Sequence, residues 1–194
     1  MELQKKGDIM KRTLQVSMSL LLALFVLTLP RTSQAATAGE INRDVDSALQ
    51  TLYRTTPAAK NLAKIAKGVL VFPDIIKAGL IVGGQYGEGA LRVGGKTTGF
   101  YRTVAASYGL QAGAQSYGYA LFFLDNEGIQ YLKNSKGWEI GVGPSVVIVD
   151  EGVARSLTTT TAKSGIYAFI FAQKGLMAGI GIQGSKITQI SPDK

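Results

Sequence analysis

Ala66-Lys67-Gly68-Val69-Leu70-Val71-Phe72-Pro73-Asp74-Ile75-Ile76-Lys77-Ala78-Gly79 is where the hydrophobic period of this chain changes. Before Gly68, apolar residues recur at helical spacing. After it they come in short runs broken by glycine, starting with Val69 to Phe72 and continuing through Gly83-Gly84-Gln85-Tyr86-Gly87-Glu88-Gly89, a pattern of strands and tight turns. Helices therefore precede a sheet.

Working upstream, Ile41, Val45, Ala48, Leu49 and Leu52 lie on one face of a helix predicted from Glu40 to Tyr53, with Arg43, Asp44, Asp46 and Gln50 elsewhere. Thr56-Pro57 supplies a cap and a first-turn proline for a second helix, whose stripe is Ala58, Leu62, Ile65 and Ala66 and which Gly68 ends. Lys60, Lys64 and Lys67 stand at i, i+4 and i+7, so three ammonium groups share one strip of that helix. Downstream, strands are expected at Gly79 to Tyr86, Ala90 to Val93, Ser107 to Ala114, Tyr117 to Leu124, Trp138 to Val142, Val146 to Val149, Ser156 to Thr161, Ile166 to Phe171, Leu176 to Ile182 and Lys186 to Ile190. Asp125 caps a short helix through Glu127, Ile129, Tyr131 and Leu132. The glycine pairs Gly87/Gly89, Gly141/Gly143 and Gly179/Gly181 weaken their strands and imply a curved sheet or a close backbone contact. The expected fold is α+β: a strongly curved, mostly antiparallel, glycine-rich and barrel-like sheet carrying N-terminal helices and one short mid-chain helix.

The first 35 residues read differently. Met10-Lys11-Arg12 is a basic n-region, Leu20 to Leu29 is almost unbroken apolar sequence, and Ser33-Gln34-Ala35 is a small-x-small cleavage site. We expect a signal peptide over residues 1–35, one domain over 36–190 and a tail at 191–194, with Met1 and Met10 both available as starts. Thr13 to Pro30 is close to the ~18 residues of a minimal span, but five polar residues dilute it, so a cleaved segment is favoured over an anchor. Residues 1–35 hold five basic and two acidic residues, so without them the formal charge falls from +8 to +5. That balance favours anionic partners without specifying a fold.

The chain has no cysteine and no histidine. Disulfides, a lipid-modified cysteine, Cys–His nucleophilic pairs and thiolate or imidazole metal sites are excluded by inventory. Neither a metal nor another cofactor is expected, and no catalytic residue is assigned. Gly179-Ile180-Gly181-Ile182-Gln183-Gly184 spells the dinucleotide fingerprint, but strands flank it on both sides where a helix should follow. Asp125 with Glu127 and Asp150 with Glu151 are acidic pairs best read as a helix cap and a turn. Trp138 reads as a packing residue, or as an interfacial one at an exposed rim.

The opening stretch, together with Gly137-Trp138-Glu139-Ile140-Gly141-Val142, Gln173-Lys174-Gly175-Leu176-Met177-Ala178-Gly179 and Gly184-Ser185-Lys186-Ile187, resembles the SYLF domain over about residues 40 to 190. That resemblance implies a lipid-binding module. Eukaryotic relatives bind phosphoinositides through a basic, amphipathic N-terminal region, and fungal members also bind actin filaments. It implies headgroup binding around Lys60 to Lys77.

These readings converge on a non-enzymatic, exported protein, periplasmic or secreted and peripheral at a membrane, that binds anionic phospholipid. Its candidate residues are Lys60, Lys64, Lys67 and Lys77 with Leu62 and Ile65 inserting or packing beneath them; Lys174, Lys186 and Trp138 are secondary candidates. Phosphatidylglycerol, cardiolipin or lipopolysaccharide would replace phosphoinositide outside the cell, and no nucleic acid is expected. The alternative is an envelope structural or protein-interaction module that recruits a partner through its sheet edges.

Overall fold

The computed structural model describes residues 36–79, 82–108, 113–149, 154, 157–162, 165–175 and 184–193. The expected signal segment, the Asp150-Glu151 pair and the strand expected at Leu176 to Ile182, with its Gly179/Gly181 pair and all of the fingerprint but Gly184, lie outside these residues.

The chain opens with α1 (Ala38–Thr55), which Thr37 and Glu40 close with a reciprocal capping box. Ile41, Val45, Ala48 and Leu52 are buried, as the helical spacing predicts. Helix α2 (Pro57–Ala63) is shorter than expected. Its last turn tightens through Lys64 N–H to Asn61 O (3.2 Å) and Ile65 N–H to Leu62 O (3.1 Å), and Lys67 N–H already donates to Phe123 O (2.7 Å) in the sheet. The sheet thus ends the helix before Gly68 does.

Eight strands follow: β1 (Gly68–Gly79), β2 (Val82–Val93), β3 (Lys96–Tyr108), β4 (Gly113–Phe123), β5 (Trp138–Glu139), β6 (Val146–Val149), β7 (Ile166–Gly175) and β8 (Lys186–Ile190), with α3 (Asn126–Asn134) between β4 and β5. They form one sheet in the order β5-β8-β3-β2-β1-β4-β7-β6, antiparallel except for the β6–β7 pair. Phe123 on β4 and Trp138 on β5 stand five places apart in that order. In a flat sheet they would be about 24 Å apart, yet their ring centroids are 6.3 Å apart. The sheet therefore curls around the face that carries them, giving the expected barrel-like, half-closed α+β fold.

The inner face packs Leu70, Phe72, Tyr101, Leu121, Phe123 and Trp138 together with Ile129 and Leu132 of α3. Helices α1 and α2 cover part of the outer face, over Val69, Val71, Ala90, Phe122 and Phe169. Arg92 on β2 ties α1 down, donating to Asn42 O (3.2 Å) and Asp46 Oδ1 (2.6 Å).

Several expectations needed correction. β1 runs straight through Pro73, because two residues, Pro73 and Asp74, oppose the single Gly118 of β4, a bulge in which proline's missing N–H is tolerated. Of the strand expected at Ser107 to Ala114, Ser107 and Tyr108 end β3 and Gly113 and Ala114 begin β4, while 109–112 lie outside the described residues. Most of β3, with Tyr101 and Thr103 turned inward, has no counterpart among the expected strands; the Gly94-Gly95 turn that leads into it has both φ positive, at 57° and 76°, as a two-residue hairpin requires. Thr158 to Thr161 is a turn rather than a strand, since the backbone N–H of each of these two residues donates to the other's hydroxyl oxygen (2.8 and 3.1 Å), bonds that compete with a ladder. Trp138 to Val142 pairs only over Trp138–Glu139, then turns at Gly141 (φ 106°).

Candidate functional site

Lys60, Lys64 and Lys67 are all exposed. They do not share one helix strip: Lys60 is in α2, Lys64 is its C-cap and Lys67 lies beyond it, at the entry to β1. The three still occupy eight consecutive residues, and no acidic residue occurs between Asp46 and Asp74. Lys64 Nζ donates to Asn61 Oδ1 (3.3 Å), and none of the three is in an ion pair among the described residues. Leu62 is only 1% exposed and Ile65 packs against the same core, so both lie beneath the lysines and Leu62 is not available for insertion.

Lys77 belongs elsewhere. It lies ten residues along the chain from Lys67, roughly 30 Å at strand rise, and its side chain is 9% exposed on the inner face of the sheet. Its cross-strand neighbours are Gln85 on β2 and Gln115 on β4, themselves 7% and 8% exposed. Gln85 is held at both ends of its amide: Tyr117 Oη donates to its Oε1 (2.9 Å), and its Nε2 donates to Ser185 Oγ (2.7 Å). Burial pushes the Tyr117 phenol up to about 12. One level deeper, Tyr119 Oη donates to Thr103 Oγ1 (3.3 Å), and burial pushes its phenol up as well.

Sequence reasoning missed this polar layer. Its signal was Gln85, a lone amide in a glycine-rich strand, and Gln115, two residues before a run of inward aromatic side chains.

The secondary candidates separate in the same way. Trp138 is 1% exposed and donates its indole N–H to Val142 O (3.1 Å), so it is a core residue and does not reach a headgroup layer. Lys174 is exposed near the end of β7, opposite Ser116, while Lys186 is exposed at the start of β8, opposite Val104 and Glu139. Asp125 is the cap expected of it: Oδ1 accepts from Gly128 N–H (3.0 Å) and Oδ2 from Gly165 N–H (2.9 Å), and these bonds hold its carboxyl below the usual range. Among the described residues, no helix is long and apolar enough to cross a membrane.

The class defined by this architecture is an α+β domain wrapped as a curled antiparallel half-barrel, with one exposed basic segment outside and one polar layer inside. Residues 104–192, from late β3 to the end of β8, match the family model Ysc84, described as "Las17-binding protein actin regulator". The matched segment holds the motifs at Gly137–Val142, Gln173–Gly179 and Gly184–Ile187, and the match agrees with the resemblance to the SYLF (Ysc84) domain read from the sequence. No curated protein matches the chain.

Proposed function

We propose that this chain is a non-enzymatic module that binds anionic phospholipid at a membrane surface through Lys60, Lys64 and Lys67, and that it does so after export. The observation that carries this reading is the exposed lysine triplet in a stretch without acidic residues. With Leu62 committed to the core, the contact is electrostatic and superficial. Each lysine near an anionic surface contributes about 1 kcal/mol, so the triplet supplies about 3 kcal/mol, or a preference of about a hundredfold for anionic over neutral membrane.

Flotation with vesicles of phosphatidylglycerol and phosphatidylcholine at two salt concentrations tests this. Wild-type protein should float at low salt and release at high salt. K60E/K64E/K67E should stay at the bottom with an unchanged circular dichroism spectrum. Equal flotation of the two proteins refutes the assignment.

A protein partner is the second reading, favoured by the family description and by one feature of the outer face. Ile76, Tyr86 and Val104 form a single cross-strand row and are 58%, 45% and 39% exposed. Co-sedimentation with actin filaments, lost in Y86D but retained in the lysine triple variant, would favour this reading over the membrane.

A further inference from the structure

The inner face of the half-barrel is apolar over most of its height and then changes character. At one level, three adjacent strands present Lys77, Gln85 and Gln115 side by side, and Ser185 joins them through Gln85. At the next level outward, the same strands present Gly79, Gly83 and Gly113, in register with one another. No side chain from these positions covers the polar layer.

The layer is unevenly satisfied. Both ends of the Gln85 amide are occupied, which fixes it as scaffold. Lys77 is engaged in an interaction of its own. The donor left over is Gln115 Nε2, buried and without a hydrogen-bond partner among the described residues. A buried amide N–H left unpaired carries a desolvation cost that an incoming acceptor would recover. Its cross-strand neighbour is Lys77, whose ammonium group can only donate and has three N–H bonds to give. The complement of two neighbouring donors, one of them charged, is an oxygen-rich anion.

We propose that this end of the half-barrel is a binding site for an oxyanion of the phosphate type, with Gln115 Nε2 and Lys77 as its donors and the Tyr117–Gln85–Ser185 chain as the frame that holds them. The site is separate from the lysine triplet and does not depend on it. A phosphate group reaches it either as a soluble phosphorylated molecule or as a lipid headgroup.

The test is a titration of the full chain, followed by the side-chain amide resonance of Gln115 and by thermal melting. One arm uses inorganic phosphate and the other dihexanoyl phosphatidylglycerol below its micelle concentration. A saturable Gln115 shift is expected in at least one arm, with a rise in melting midpoint of about 5–10 °C at a hundredfold excess over Kd. Saturation by phosphate alone assigns a soluble ligand; saturation by the lipid alone assigns a headgroup. Q115L should lose the ligand-induced rise while melting no lower than wild type without ligand, since an unpaired buried donor has been removed. K60E/K64E/K67E should keep the full response even where it no longer floats with vesicles. An unmoved Gln115 resonance in both arms, or a Q115L protein that retains the thermal response, overturns the proposal.

Discussion

Replacing Gly89 with alanine should be among the most damaging single-methyl additions this fold can suffer. A Cβ at that position would stand inside van der Waals contact of Val71 O, 2.8 Å from Val71 C and 2.9 Å from Phe72 Cδ1. The carbonyl belongs to β1, the neighbouring strand, so relief requires the backbones of β1 and β2 to part next to the Pro73–Asp74 bulge. Overpacking of this kind costs about 1–3 kcal/mol, and two ladder hydrogen bonds weakened by the separation add about 1 kcal/mol each. A total of about 3–5 kcal/mol corresponds, at 2–4 °C per kcal/mol for a domain of this size, to a fall of about 6–20 °C in melting midpoint. Gly84, on the same strand but the opposite face, is the control: among the described residues an added Cβ meets only Ala105 O, at 3.6 Å. Urea and thermal denaturation of G89A and G84A should show a large loss for the first and a change within about 0.5 kcal/mol for the second. A G89A protein as stable as G84A would show that the strands do not approach as described, and the account of the curl would fall with it.

Two further substitutions probe other joints. Ala172 has φ 53°, in a two-residue bulge of β7 opposite Tyr117, so A172G should raise stability by about 0.5–1 kcal/mol once glycine's greater unfolded freedom is deducted, measured as the shift in urea midpoint. D125A should cost about 1 kcal/mol through loss of the cap on α3, together with its bond to Gly165. Because the carboxyl of Asp125 is held below its ordinary value, its contribution is present at neutral pH and is lost as the pH falls below about 4. The difference between wild type and D125A should therefore shrink on acidification, and a constant difference would show that the carboxylate charge contributes nothing.

What could be read in the sequence was local. The spacing of Ile41, Val45, Ala48 and Leu52 fixes a buried helix face without help from the rest of the chain, and the glycine pair Gly87/Gly89 signals curvature because each lies under a neighbouring backbone. Gly141 is different: among the described residues nothing lies within 4 Å of a Cβ built there, so its constraint is a φ of 106° and not the close backbone contact expected of the Gly141/Gly143 pair. The exposure of Lys60, Lys64 and Lys67 was legible for the same local reason. Lys77 was not. Counting alternate residues from Phe72 along an unbroken strand puts Ile76 inside and Lys77 outside. The extra residue at Pro73–Asp74 reverses that parity, leaving Ile76 58% exposed and Lys77 9%. Whether a proline ends a strand or bulges it depends on the strands beside it, which the linear sequence does not display.

The Pro73–Asp74 bulge also divides the sheet by how it is held. On the Gly68 side of it, the inner face is packed with aromatic side chains and the outer face meets the helices. On the Gly79 side, the inner face turns polar and the outer row of Ile76, Tyr86 and Val104 is bare. Cross-strand hydrogen bonds carry a larger share of the cohesion there, and exposed ladders with few apolar contacts open at lower free energy than a core does. Local opening of that end leaves the packed end intact. A ligand that rigidified the strands around Lys77 and Gln115 would therefore raise amide-exchange protection there first, coupling occupancy to local order without any change of fold.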